Sequence, residues 1–272
     1  MAKRALRIIL FTTGTLTLVA GSMVAGAVIF IRNSDVLSKT LGLASTASAP
    51  TLLEKAQRRF GQKIYSQWNE ETLIRHFFND QRDGFFVDVG AGDCCTESTT
   101  YYLASRLGWT GISIDANASV GPEYAVKRKG TKFLSFFVSD TSDEMADYFF
   151  VPQVPGISSG DPTHAKKFDF VAKKNLAIEE QKIRTVTLNK VLEANQVARI
   201  DFLSMDIEGA ELAALNGFDI EKYKPRLVCV EIQQELGAPI LQYFVRHGYQ
   251  RVEDYLPFDR YNWYFTPAPH AK

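Results

Sequence analysis

The residues best suited to chemistry fall at regular places in the chain. Val87-Asp88-Val89-Gly90-Ala91-Gly92-Asp93 is an apolar run that passes straight into two glycines. Glycine is needed where a backbone turns tightly or approaches a ligand with no Cβ in the way. Carboxylates follow the later apolar runs. Asp115 closes one, Asp140 another, and Asp206 a third, with Glu208 just beyond it and Glu231 closing a fourth. In an open α/β sheet, ligands bind outside the carboxyl ends of the strands, so Asp88, Asp115, Asp140 and Asp206 are expected along one binding edge.

The ligand such an edge takes is constrained. An acid about 25 residues after the glycine turn stands where ribose hydroxyls are held. Several carboxylates suit an adenosine ribose, an ammonium and a sulfonium, and suit a polyphosphate poorly. No Lys or Arg occurs from Gly84 to Ser105, which removes a phosphate-binding P-loop. Cys95 stands where a dinucleotide fingerprint has its third glycine, which counts against a nicotinamide oxidoreductase. Taken singly, each acid reads equally well as a helix cap or solvated turn.

Candidates for proton transfer are Asp206 and Glu208 at a strand-to-helix turn, and His164 in Gly160-Asp-Pro-Thr-His164. His164 has a suitable ordinary pKa, although an isolated loop histidine also reads as a surface residue. Glu208 also reads as a helix-start charge. Asp206, Glu208 and Glu231 together have the oxygen chemistry of a divalent-ion site, but their spacing does not demand one, and no metal is predicted. The aromatic tail Tyr255 to Phe265 reads as sheet packing rather than a substrate platform.

These residues need a scaffold to position them. Thr51 to Asn79 reads as helical, with Tyr65, Trp68, Leu73, Ile74 and Phe77 as its stripe. Strands are expected at 85–89, 111–115, 132–138, 200–205 and 226–232, with two more near Arg251 and at 261–265. Helices are expected at about 97–107, closed by Gly108, and at 208–216 and 239–247. Strands alternating with helices imply an α/β fold with a doubly wound, mainly parallel sheet. Residues 141–182 break the rhythm and are expected to form a lid or substrate insert.

With 272 residues, 46% hydrophobic and 23% charged, the chain suits one medium α/β domain plus an appendage. Residues 1–32 hold four basic residues and no acid, leaving 27 basic against 31 acidic groups beyond them. That mildly acidic remainder argues against a nucleic-acid partner. Three cysteines, two of them adjacent, make no disulfide framework. Ile8 to Ile31 is uncharged for about 24 residues, or about 36 Å as a helix, and is expected to be a single transmembrane anchor within residues 1–32. Gly21/Ala25 and Ser22/Gly26 have the small-residue spacing of a homodimer contact in such a helix. Residues 33–50 read as a linker, and 51–268 as the soluble domain. Flanking charge leans towards an exported domain, whereas a cytosolic ligand would favour the opposite side, so the orientation stays open.

The motifs, in order, resemble one family. They are Gly84-Phe-Phe-Val-Asp-Val-Gly-Ala-Gly-Asp93, Ser98-Thr-Thr-Tyr-Tyr-Leu103, Gly108-Trp-Thr-Gly111 and Ile114-Asp115. Val138-Ser-Asp140, Val186-Thr-Leu188 and Ile200-Asp-Phe-Leu-Ser-Met-Asp-Ile-Glu-Gly-Ala-Glu211 continue the series. Together they are similar to FkbM-type methyltransferases over roughly residues 55–266, and Asp206 to Glu211 is the most family-specific piece. The resemblance implies a Rossmann-like class I methyltransferase fold with a C-terminal antiparallel strand pair. It implies S-adenosylmethionine as methyl donor and a hydroxyl oxygen, on a small molecule or glycan, as acceptor. By matching position, Gly90 and Gly92 would admit the methionine portion and Asp88 would order the loop. Asp115 would hold the ribose, Ser139 and Asp140 would lie beside the adenine, and Asp206 would face the methyl-transfer site. Cys94-Cys95 departs from the family's usual small or polar residues, and Ser98-Thr99-Thr100 from its Ser-Asn-Thr. A membrane-tethered binding protein on the same fold is the other reading.

Overall fold

A computed structural model describes residues 50–233 and 235–269, together with three short N-terminal segments. Those segments, Ile8–Leu10, Leu16–Leu18 and Ile29–Phe30, pair as antiparallel strands where a membrane helix was expected. Among the described residues no helix is long and apolar enough to cross a membrane. The rest of the expected anchor and all but the last residue of the linker lie outside the described residues.

Residues 51–272 form a separate unit. It opens with α1 (Leu52–Phe60), started by a capping box in which Thr51 and Glu54 each accept the other's backbone N–H. The single helix expected over 51–79 is broken. Gly61, at φ 87°, ends α1, and α2 (Glu70–Phe78) begins nine residues later. The buried Glu71 carboxylate holds the connector by accepting from Ile64 and Tyr65 N–H. Sequence periodicity carries no sign of that side chain reaching back.

The main sheet contains β1 (Phe85–Val89), β2 (Thr110–Asp115), β3 (Thr131–Ser135), β7 (Phe202–Met205), β8 (Leu227–Glu231), β9 (Tyr249–Arg251) and β10 (Asn262–Pro267). Its order is β9-β10-β8-β7-β1-β2-β3, parallel except for β10, which is antiparallel to both its neighbours. Alternation at period two feeds two cores. Val87, Val89, Leu203, Met205, Val228 and Val230 face one side, and Phe86, Phe202, Leu227 and Cys229 the other. Helices α2 and α3 (Tyr101–Leu107) cover the second side. Across the first lie α6 (Leu188–Ala194), α7 (Glu211–Asn216), α8 (Ile220–Tyr223) and α9 (Gly237–Arg246). Burial on both faces explains why the central strands read as continuous apolar runs. Gly108 caps α3 in the left-handed region, as its position predicted.

Between β2 and β3 lies α4 (Gly121–Lys127). The strand expected over 132–138 is two. β3 ends at Ser135, and β4 (Phe137–Val138) joins a second sheet with β5 (Met145–Phe150) and β6 (Glu179–Val186), in the order β4-β6-β5. The region expected to be a lid or substrate insert is framed by a β5–β6 hairpin. Its long tip, which includes α5 (Asp169–Lys173), packs a small core of Val151, Ile157, Ala165 and Val171.

Candidate active site

Register brings the strand-end residues together. β7 pairs with β1 through Met205 and Val89, with β8 through Met205 and Val230, and β1 pairs with β2 through Val89 and Ile114. One residue further along these strands stand Gly90, Asp115, Asp206 and Glu231. They open onto a cleft of about 870 Å³ at the carboxyl edge of the sheet, also lined by Trp68, Phe137, Tyr148, Ser159 and Tyr261. That volume lies in the upper range for small-molecule sites, enough for two reactants side by side.

The loop after β1 is fixed from several directions. Gly90 and Ala91 N–H donate to the Ile114 carbonyl. Gly90 has φ 78°, and a Cβ there would lie 1.6 Å from the Asp206 carbonyl oxygen. Its glycine requirement therefore comes from backbone pressed on backbone, not from the ligand. Gly92, at φ 54°, has open space where its Cβ would be, and lines the cleft. Asp115 receives Gly92 N–H at 2.8 Å on one oxygen and Asn117 N–H at 2.7 Å on the other. Burial raises its pKa and those two donors oppose the rise. Each carboxylate oxygen keeps a lone pair, so Asp115 can still accept ribose hydroxyls from the cleft.

Asp88 does not line the cleft. Its side chain is buried on the α3 side and accepts from Thr100 Oγ1 at 2.5 Å. Thr100 in turn accepts from Arg128, which also reaches Ser98 Oγ and the Cys94 carbonyl. Burial raises the Asp88 pKa, while Thr100 and the Arg128 charge hold it down. The buried Arg128 guanidinium also lies over the Phe86, Tyr101 and Tyr124 rings at 5.2–5.7 Å. It clamps residues 94–100, and nothing in its Lys-Arg-Lys surroundings singles it out in the sequence. Cys94 and Cys95 sit inside this clamp with sulfurs 3.0 Å apart. Burial, then Cys95, pushes the Cys94 thiol up to about 12, which disfavours the thiolate.

Ser139 and Asp140, expected beside the adenine, are not among the cleft's lining residues. The switch from β3 to β4 directs Phe136, Phe137 and Val138 to the cleft instead, while Ser139 and Asp140 lie against Gly217.

The second loop, 206–210, is shaped by Glu211. This fully buried residue accepts Ile207 and Gly209 N–H at 3.0–3.1 Å. Glu208 is held at φ 53°, a conformation uncommon for a residue with a side chain, and its carbonyl accepts from Ser159 of the insert at 2.7 Å. Asp206, Glu208 and Glu231 each place a carboxylate oxygen within 4.8 Å of the other two. Two full charges at that distance repel by about 3–4 kcal/mol at an effective dielectric of 20. Desolvation by the protein packed around it, then Glu231, raises Asp206 well above the carboxylate range, although the residue itself is open to the cleft. Burial, then Glu208, pushes Glu231 to about 7. His164, which also read as a surface residue, is only 4% exposed, with Nε2 2.9 Å from Glu208 Oε2. The three catalytic candidates are therefore brought together, with Glu231 as a fourth member. Sequence reasoning passed over Arg128, Ser159 and Glu211 as site residues. Only Glu211 left a signal, as the last residue of Asp206 to Glu211. Trp68 and Tyr261, both expected to be packing residues, stack at 4.8 Å on the cleft wall.

Sheet order and glycine loop define a class I methyltransferase architecture. Residues 88–251, more than half of the chain, match the family model described as the methyltransferase FkbM domain. The chain belongs to that family, and is an S-adenosylmethionine-dependent methyltransferase. No curated protein matches the chain. Among solved structures it is similar to a TehB-like SAM-dependent methyltransferase from Corynebacterium glutamicum. There the identity is 12% and the TM-score 0.41, over 78% of this chain and 93% of that one. It is also similar to a SAM-dependent methyltransferase from Aquifex aeolicus at 10% identity and TM-score 0.37, over 73% and 88% of the two chains.

Proposed function

We propose that the chain transfers a methyl group to a hydroxyl oxygen of a small molecule or glycan. The observation that carries this reading is the meeting of two loops on one cleft. Gly92 and Asp115 form the donor side, and the Asp206, Glu208 and Glu231 carboxylates face it. Bound there, S-adenosylmethionine supplies an electrophilic methyl on sulfur. Asp115 orients the ribose, and the loop from Gly90 to Asp93 leaves room for the methionine portion. In-line transfer depends chiefly on alignment, which two loops fixed to adjacent strands provide. Glu208 would take up the proton that an acceptor hydroxyl loses on methylation. His164 lies behind Glu208 rather than on the cleft and acts through it as a positioning residue. The uncharged run Ile8 to Ile31 supports membrane attachment as part of this reading, checked by whether the chain resists alkaline carbonate extraction.

The test is incubation of the full chain with methyl-labelled donor and a cell extract, followed by isolation of the labelled product. A methyl ether on a small molecule or sugar is expected. Label appearing only on nitrogen would overturn the oxygen assignment, and failure of calorimetry to detect donor binding would overturn the whole reading.

A further inference from the structure

We propose that Asp206, Glu208 and Glu231 form a divalent-cation site, occupied by Mg²⁺ or Mn²⁺. Three carboxylate oxygens from two strand ends and one loop lie within 4.8 Å of one another. Among the described residues, no Lys or Arg pairs with any of them. Elsewhere in this unit buried acids are satisfied. Asp88 has Thr100, Glu71 has backbone N–H groups, and Asp201 has Arg226. Here the only nearby base among the described residues is a histidine.

Two further observations point to a missing partner. Glu231 Oε2 is buried with no hydrogen-bond partner. The His164 side chain is more than nine-tenths buried and aims Nε2 at Glu208 Oε2, 2.9 Å away. Neither ring nitrogen makes a hydrogen bond. Leaving such groups unpaired is costly unless something else enters. A hard cation satisfies the cluster, because an all-oxygen set with room for water suits Mg²⁺ or Mn²⁺ and not thiophilic zinc. Glu208 can serve His164 with one oxygen and the cation with the other. The site lies on the same cleft as Gly92 and Asp115. There the cation would polarise an acceptor hydroxyl and ease loss of its proton. That use rests on the methyl-transfer reading, whereas cation binding does not.

The experiment is titration of the chelator-treated full chain with Mn²⁺, following the free ion by electron paramagnetic resonance. One saturable site per chain is expected, displaced by Mg²⁺ and weakened at least about tenfold in Glu231→Gln and Asp206→Asn. Circular dichroism melts establish that the variants are folded. Should both variants fail to fold, a Mn²⁺-dependent rise in the melting temperature of the parent chain carries the test. Absence of that rise, no saturable binding, or binding untouched by folded variants would overturn the proposal. Calorimetry with S-adenosylhomocysteine on the metal-free chain tests the donor reading separately. Loss of that binding with Mn²⁺ binding intact would fault the donor reading alone.

Discussion

The two loops at the head of the sheet are built on opposite principles. Around residues 90–100 nearly every charge has a partner. Asp88 is held by Thr100 and, through it, Arg128, while Asp115 accepts two backbone N–H groups. Around 206–210 the backbone is equally well held, by Glu211 and Ser159, yet the carboxylates it presents face each other. Satisfied charge fixes shape, whereas unsatisfied charge stores an affinity for whatever enters.

The largest effect should come from breaking the point where the loops touch. Gly90→Val puts a side chain into the Asp206 carbonyl and should cost more than about 4 kcal/mol, so that no cooperative melt is seen. A parent-like melt would show that the contact yields. Next, Arg128→Ala removes the only cation near Asp88 among the described residues and should cost about 3–5 kcal/mol by denaturant titration. Adding Asp88→Asn should recover part of that loss, and strict additivity would mean the two groups are not coupled.

On the second loop the sign reverses. The Glu231 pKa is raised in the folded chain to about 7, so the folded form binds the extra proton. Stability should therefore fall as pH rises from the unfolded carboxylate range through 7. In metal-free buffer Glu231→Gln should escape this loss and be more stable than the parent by about 1–3 kcal/mol above pH 7, with no advantage below about pH 4.5. Melts at both ends of that range decide it. Asp115→Ala should weaken donor-analogue binding about 10- to 100-fold by calorimetry, equivalent to about 1.4–2.7 kcal/mol. The smallest effect belongs to Gly92→Ala, which meets open space and should cost only about 1–2 kcal/mol for its positive φ. A loss as large as that of Gly90→Val would erase the distinction between the two glycines.

The sheet was legible because its central strands are buried on both faces and bounded by glycine and acid. That Gly90 and Asp115 line one cleft was legible for the same reason, since both are strand-end residues. What escaped depended on side chains meeting across long separations. Arg128 reaches back 28 residues to Thr100, and Ser159 reaches forward 49 to the Glu208 carbonyl. Neither contact has a periodicity. Asp140 was placed on the cleft by strand counting and Ser139 with it by resemblance, and neither could foresee that the chain changes sheets at Phe136. His164 read as plausible surface because its burial comes from the insert's own packing beside Phe168.

The contact between Gly90 and the Asp206 carbonyl sets a rule for redesign. Because the two loops meet backbone to backbone, neither can be lengthened or exchanged alone without dislodging the other. They form a single graftable unit. The hairpin insert touches these loops through Ser159 and His164, both against Glu208, so new acceptor preferences are best sought elsewhere between residues 145 and 186, with the paired loops left intact.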